Sequence, residues 1–194
     1  ASPVALLERL GALNERTVAI HAIHLSEEEK KMLADRGARV VHNPLTNQYL
    51  GDGICDVAGL RALGVTIGLG TDADVRPSLI EEMRAAALLQ KLKHHDGAAA
   101  TASQSFAMGT SEGARALALD SGDLVAGAPA DYVVLDGAGI DPWSPPLNAV
   151  VYRGEDAWVQ ATFVNGRRVY VGEPSPLARR ARDETAKIAK DRLP

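Results

Sequence analysis

Cysteine is nearly missing from this chain. Its 194 residues include one, Cys55, which excludes an internal disulfide framework and a cysteine-rich zinc site. Basic charge is also short, with 21 Lys plus Arg against 25 Asp plus Glu and a net charge of -4. That balance argues against broad nucleic-acid binding, which depends on a basic surface to neutralise phosphate. No apolar run approaches the roughly 20 residues of a membrane helix, so no membrane partner is expected. The opening Ala-Ser-Pro-Val-Ala lacks the basic stretch and apolar segment of a signal peptide, and the expected location is cytoplasmic. What is present, 46% hydrophobic and 24% charged residues, belongs to a folded chain rather than a disordered one.

Through the first two-thirds, helical and extended patterns alternate. Ser2 caps a helix with Pro3 at its first position, and Val4, Leu7 and Leu10 recur at helical spacing. Residues 17–23 read as a short buried strand. Ser26 with Glu29 forms a capping box that opens a helix ending at Gly37. Residues 38–42 are a second strand, 57–63 a short helix closed by Gly64, and 65–69 (VTIGL) a third strand. Further helices are predicted over 78–93 and 103–119. Short apolar strands separated by helices imply a parallel sheet covered on both sides, hence an α/β unit.

The pattern changes after Asp120. Residues 131–135, 149–152 and 157–171 are rich in Val, Tyr, Phe and Trp with little helical periodicity, and read as a β-rich unit. Asn165-Gly166 between TFV and RRVYV is a strong hairpin signal, because both residues tolerate positive φ. From Pro176 onward the chain reads as a charged, solvated helix. The expected divisions are 1–119, 120–173 and 174–194.

Chemistry-bearing residues cluster in His21-Ala-Ile-His24, His42-Asn-Pro-Leu-Thr-Asn47 and Gly68-Leu-Gly-Thr-Asp72. Each cluster lies at the carboxyl end of a predicted parallel strand, where side chains of α/β folds converge on one opening. Singly, each has a plainer reading. A strand histidine is often a hydrogen-bonded core residue, Asp72 can cap a turn, and Asn43-Pro44 is a common turn pair. His21 and His24 are three apart on a strand and point to opposite faces, so only His21 is read as inward-facing. His94-His95 suits a helix end, and Cys55 reads as a small buried apolar residue.

Together, HAIHLSEEE, HNPLTNQYLGDGI and GLGTDADVRPSLIEEMRAAALLQ resemble the sixth, seventh and eighth strand regions of the metal-dependent amidohydrolase superfamily. They are most similar to its deaminase and chlorohydrolase branch, which includes guanine and adenosylhomocysteine deaminases, triazine hydrolases and formiminoglutamate deiminases. ALALDSGDLVAGAPADYVVLD and VQATFVNGRRVYVGE resemble the stretch where that branch leaves the barrel for a small β-sandwich. The resemblance implies a (β/α)8 TIM barrel holding one divalent metal, usually zinc and sometimes iron. It assigns Asp72 as a metal ligand that takes a proton from bound water. It assigns His21 to the leaving group or attacking hydroxide, and as a second metal ligand. His42 and Asn47 fall where family members shape the substrate pocket.

Some of the family's parts are missing here. The His-x-His pair of strand one, the strand-five histidine and the nearby glutamate have no counterparts, and no histidine precedes His21. The resemblance therefore implies the carboxyl-terminal part of a barrel, strands six to eight, from a protein roughly twice as long. Zinc sites take three or four protein ligands, so the chain alone is expected to be inactive and poorly able to hold metal. The expected function is hydrolysis of C–N bonds other than peptide bonds in a small-molecule substrate, by deamination of a nitrogen heterocycle or amidine. The alternatives are a chlorohydrolase, or a non-catalytic chain that completes a barrel. The missing amino-terminal half, a second chain or a homo-oligomer is the expected partner.

Overall fold

The computed structural model describes residues 2–72, 77–141, 143–172 and 176–192. Residues 73–76 of the GLGTDADVRPS motif and the division expected at 173/174 lie outside them. The first unit is built on a parallel sheet of β1 (Val18–Ile20), β2 (Arg39–His42) and β3 (Ile67–Leu69), in that order. Around it lie α1 (Pro3–Arg9), α2 (Glu27–Asp35), α3 (Pro44–Leu50), α4 (Val57–Ala62) and α5 (Leu79–His94). Then come α6 (Ala102–Met108) and α7 (Ser111–Ala116).

The register sets the two faces of this sheet. Ala19, Val40 and Ile67 are cross-strand partners, and Val40 and Ile67 are fully buried with Leu33 of α2, Leu60 of α4 and Ala86 of α5. Burying side chains of this size contributes roughly 1.5–3 kcal/mol each. The opposite row is Ile20, Val41 and Gly68, in which Ile20 is 51% exposed. Among the described residues the three strands form an open sheet and do not close a barrel.

Local signals explain most of the elements. Ser26 accepts from the Glu29 N–H while the Glu29 carboxylate accepts from the Ser26 N–H, closing the predicted box at the start of α2. Ser78 caps α5 through the Glu81 N–H. The single helix predicted over 103–119 is instead two. α6 ends at Gly109, and the Thr110 hydroxyl donates to the Phe106 carbonyl before α7 begins.

The stretch 149–152, read as β-rich, lies in helix α8 (Pro146–Arg153). Pro146 sits in its first turn, and Ala149, Val150 and Val151 are buried where α8 packs on α5 and α6. The β-branched residues there serve helix packing, which pattern alone does not separate from a strand.

The second sheet is antiparallel, ordered β4 (Tyr132–Leu135), β5 (Val159–Val164) and β6 (Arg167–Tyr170). Asn165 and Gly166 turn β5 into β6 with φ of 49° and 73°, as the hairpin signal requires. Tyr132 and Phe163 stack across strands at 4.5 Å. Among the described residues this sheet is a single antiparallel layer. The last element, α9, spans Pro176–Arg192, and no described helix is long and apolar enough to cross a membrane.

Candidate functional site

The strand-end clusters meet where the parallel strands finish. β2 and β3 are locked there by the Asn43 amide, which donates to the carbonyls of His42 (3.2 Å) and Gly70 (3.1 Å). The Gly70 N–H also donates to the His42 carbonyl at 3.1 Å. A Cβ at Gly70 would lie 2.6 Å from the Asn43 amide and 2.9 Å from Val41 Cγ1, so the clamp requires glycine.

His21 follows β1 and Asp72 follows β3, one strand apart on either side of β2. Their side chains meet, with His21 Nε2 3.5 Å from Asp72 Oδ2, an ion pair whenever the imidazole is protonated. Both side chains are 35% exposed, open enough for a small molecule to reach. Both backbones lie in the left-handed region, at φ 68° for His21 and 46° for Asp72, with Ala22 at 51°. Non-glycine residues there carry strain of order 1–3 kcal/mol, which concentrates at functional sites.

His42 and Asn47, expected to shape a substrate pocket, stand behind this pair. His42 is 0% exposed and Asn47 1%. Asn47 Oδ1 lies 2.8 Å from His21 Nδ1, and Asn47 Nδ2 lies 3.5 Å from His42 Nδ1. Burial holds the His42 pKa down to about 4, with the neighbouring His21 adding to the effect. Among the described residues His42 Nε2 has no hydrogen-bond partner.

One buried acid beneath the site carries no signal in the sequence. Glu82 on α5 is 0% exposed and accepts from the Leu45 N–H at the start of α3 (3.1 Å). Its Oε1 has no partner among the described residues. Burial pushes its carboxyl up to about 7, and the negative charges of Asp72 and Glu81 push the same way. In the sequence it is one of two glutamates in a helical first turn, where acids are ordinary.

His94 and Cys55 keep the structural roles read for them. His94 Nε2 lies 3.6 Å from Asp56 Oδ1, and Asp56 also pairs with the buried Lys30. The Cys55 thiol is fully buried and pushed up to about 12 by that burial.

The arrangement offers a carboxylate and an imidazole converging from two strand ends. Among the described residues no group of three or more His, Cys, Asp or Glu could hold a metal ion. Asp72 and His21 are two donors where zinc takes three or four, so these residues do not make a metal site by themselves.

Known proteins bear the same elements. A 5'-deoxyadenosine deaminase of Methanothermobacter thermautotrophicus is 38% identical over 171 residues, 86% of this chain and 40% of that protein. A 5-methylthioadenosine/S-adenosylhomocysteine deaminase of Thermococcus sibiricus is 36% identical over 173 residues, 87% of this chain and 41% of its own length. A crystal structure of an adenosine deaminase from Xanthomonas campestris with bound zinc superposes with a TM-score of 0.90 at 31% identity. The match covers 98% of this chain and 45% of that one. A mutant atrazine chlorohydrolase of Arthrobacter aurescens, complexed with zinc and atraton, reaches a TM-score of 0.84 at 25% identity, covering 95% and 43%. The chain thus spans about 40% of the length of the curated relatives it matches. The amidohydrolase family model matches residues 1–169, and the chain belongs to the amidohydrolase family.

Proposed function

We propose that this chain is the carboxyl-terminal part of a hydrolase acting on C–N bonds other than peptide bonds, specifically a deaminase of a nitrogen heterocycle. Adenine nucleosides are the substrate class favoured by the relatives named above. The observation that carries the reading is the convergence of His21 Nε2 and Asp72 Oδ2 at 3.5 Å, on strained backbone at two strand ends.

In such a reaction water adds to the ring carbon that bears the amino group. A C–O bond forms, the C–N bond breaks and ammonia leaves. One water proton ends on the leaving nitrogen and the other on the ring nitrogen. Asp72 is the group suited to accept the first proton from the attacking water and pass it on, since a carboxylate within reach of the reacting atoms acts as a general base. His21 reaches the same point from the opposite strand and is a hydrogen-bond partner for the attacking or leaving atom. Asp72 and His21 are also the donors this chain would bring to a divalent metal, with the remaining donors supplied from outside it.

The test is ammonia release from adenosine, 5'-deoxyadenosine and methylthioadenosine. It compares the chain alone with the chain combined with a polypeptide spanning the part of the family that it does not cover. Ammonia is expected only from the combination, falling by at least about 100-fold with Asp72→Asn, the scale of a lost general base. Release by the chain alone would refute the view that two donors are too few. Chloride release from a chlorotriazine, with no ammonia from any nucleoside, would transfer the assignment to a chlorohydrolase.

A further inference from the structure

We infer that Asn47 is a positioning residue that fixes the tautomer of His21, and that it does so from a buried bridge between two imidazoles. It joins His21 Nδ1 (2.8 Å) to His42 Nδ1 (3.5 Å) through the two ends of one amide. The inference rests on the proposed function only for the consequence of the tautomer, not for the hydrogen bonds themselves.

An amide offers an acceptor at one end and a donor at the other, so the two rings it joins cannot take the same role. With Oδ1 toward His21, the neutral His21 ring carries its proton on Nδ1 and donates it to Asn47. Asp72 Oδ2 draws a proton toward Nε2 from 3.5 Å, but the Nδ1 contact to Asn47 is shorter at 2.8 Å and holds the proton there, so Nε2 keeps its lone pair and accepts from an O–H or N–H at the reacting centre. The other amide end donates across 3.5 Å to His42 Nδ1, which places the His42 proton on Nε2, a buried donor with no acceptor among the described residues.

His42 suits the role of a fixed, neutral acceptor. It is fully enclosed, at the end of β2, on the strand between those that carry His21 and Asp72. Asn47 is held as firmly. It lies on α3, is 1% exposed, and its N–H donates to the Asn43 carbonyl (3.0 Å). Asn43 also clamps β2 to β3. The bridge therefore ties the His21 ring, whose backbone sits at φ 68°, to the rigid end of the sheet. Both His42 and Asn47 are closed off from solvent, so they orient His21 and do not contact the substrate.

The tautomers can be read without turnover. Magic-angle-spinning NMR of sedimented, 15N-labelled chain above pH 8, where an ordinary imidazole is neutral, distinguishes protonated from bare ring nitrogens. His21→Gln and His42→Gln identify the signals. The expected result is Nδ1–H with bare Nε2 for His21, and the reverse for His42. Asn47→Asp keeps an acceptor toward Nδ1 and should leave the His21 proton there. Asn47→Ala removes it and should replace the single tautomer by a mixture. A wild-type His21 protonated on Nε2 would overturn the inference, and so would a His21 tautomer that survives Asn47→Ala. If the alanine variant does not fold, the wild-type assignment still decides. Because no product is measured, a wrong tautomer and an absent deaminase activity are separate results.

Discussion

Replacing Glu82 by Gln should flatten the pH dependence of stability between about pH 4.5 and 7. In the fold this carboxyl titrates at about 7, against 4.5 for the ordinary group. Across that window the folded state binds more protons than the unfolded state, so wild-type stability falls as pH rises. The full contribution is present below 4.5 and lost above 7, a change on the order of 3 kcal/mol at about 1.36 kcal/mol per unit. The Glu82→Gln side chain would keep an oxygen for the Leu45 N–H while carrying no charge. Urea midpoints of both proteins at several pH values measure the difference, and parallel curves would refute the buried-acid account. Residues such as Glu82 are hard to read in advance. α5 packs against α3, α6 and α8, and its buried positions include the polar Glu82 and Gln90 among Ile80, Met83 and three alanines, so residue type alone does not mark a buried acid. His21 and Asp72 are legible for the opposite reason. Each sits just past a short apolar run, where an α/β fold directs polar side chains to one opening.

At the scale of the element, the clearest test is the turn between β5 and β6. Gly166 holds φ 73°, where a Cβ costs roughly 1–2 kcal/mol, so Gly166→Ala should destabilise by about that amount. Gly97 has no positive φ and open space where a Cβ would go, so Gly97→Ala should leave the midpoint unchanged or raise it slightly, by up to about 1 kcal/mol. Equal effects from the two substitutions in denaturant titrations would show that turn geometry is not the cause. The same turn is visible in the sequence, as are the caps at Ser2, Ser26 and Ser78. The helices that are not visible there, α3 and α8, both open with a proline preceded by Asn43 or by Pro145. Asn43-Pro44 reads equally as a turn pair, and the β-branched residues 149–152 of α8 read as extended, so neither stretch declares a helix before its packing partners are known. Both helices are eight residues or shorter, and their stability comes from burial against α5 rather than from local propensity.

For the whole molecule, the decisive feature is what the parallel sheet leaves uncovered. Among the described residues β1 and β3 each pair on one side only within the sheet. The row of Ile20, Val41 and Gly68 meets α7 at Gly68 but leaves Ile20 half exposed at the other edge. In a closed barrel that row would face the interior and both edges would be paired. A half-exposed isoleucine on an unpaired edge strand promotes pairing with another chain. The second sheet shows the same deficit, with Val133 and Val134 at 51% and 42% exposure. We therefore expect the 194-residue chain to sediment as an oligomer, a complex or an aggregate rather than as a monomer. A lysine on an edge strand blocks such pairing, because its charge cannot be buried in a second strand's apolar row. Ile20→Lys should then raise the monomer fraction at a fixed concentration. It should leave the helix content unchanged, since the substituted side chain lies opposite the core formed by Val40, Ile67 and Leu60. Sedimentation velocity with circular dichroism reads both quantities. A wild-type chain that is monomeric and cooperatively folded at high concentration would show that the open face needs no cover. An associating chain indifferent to Ile20→Lys would place the contact elsewhere.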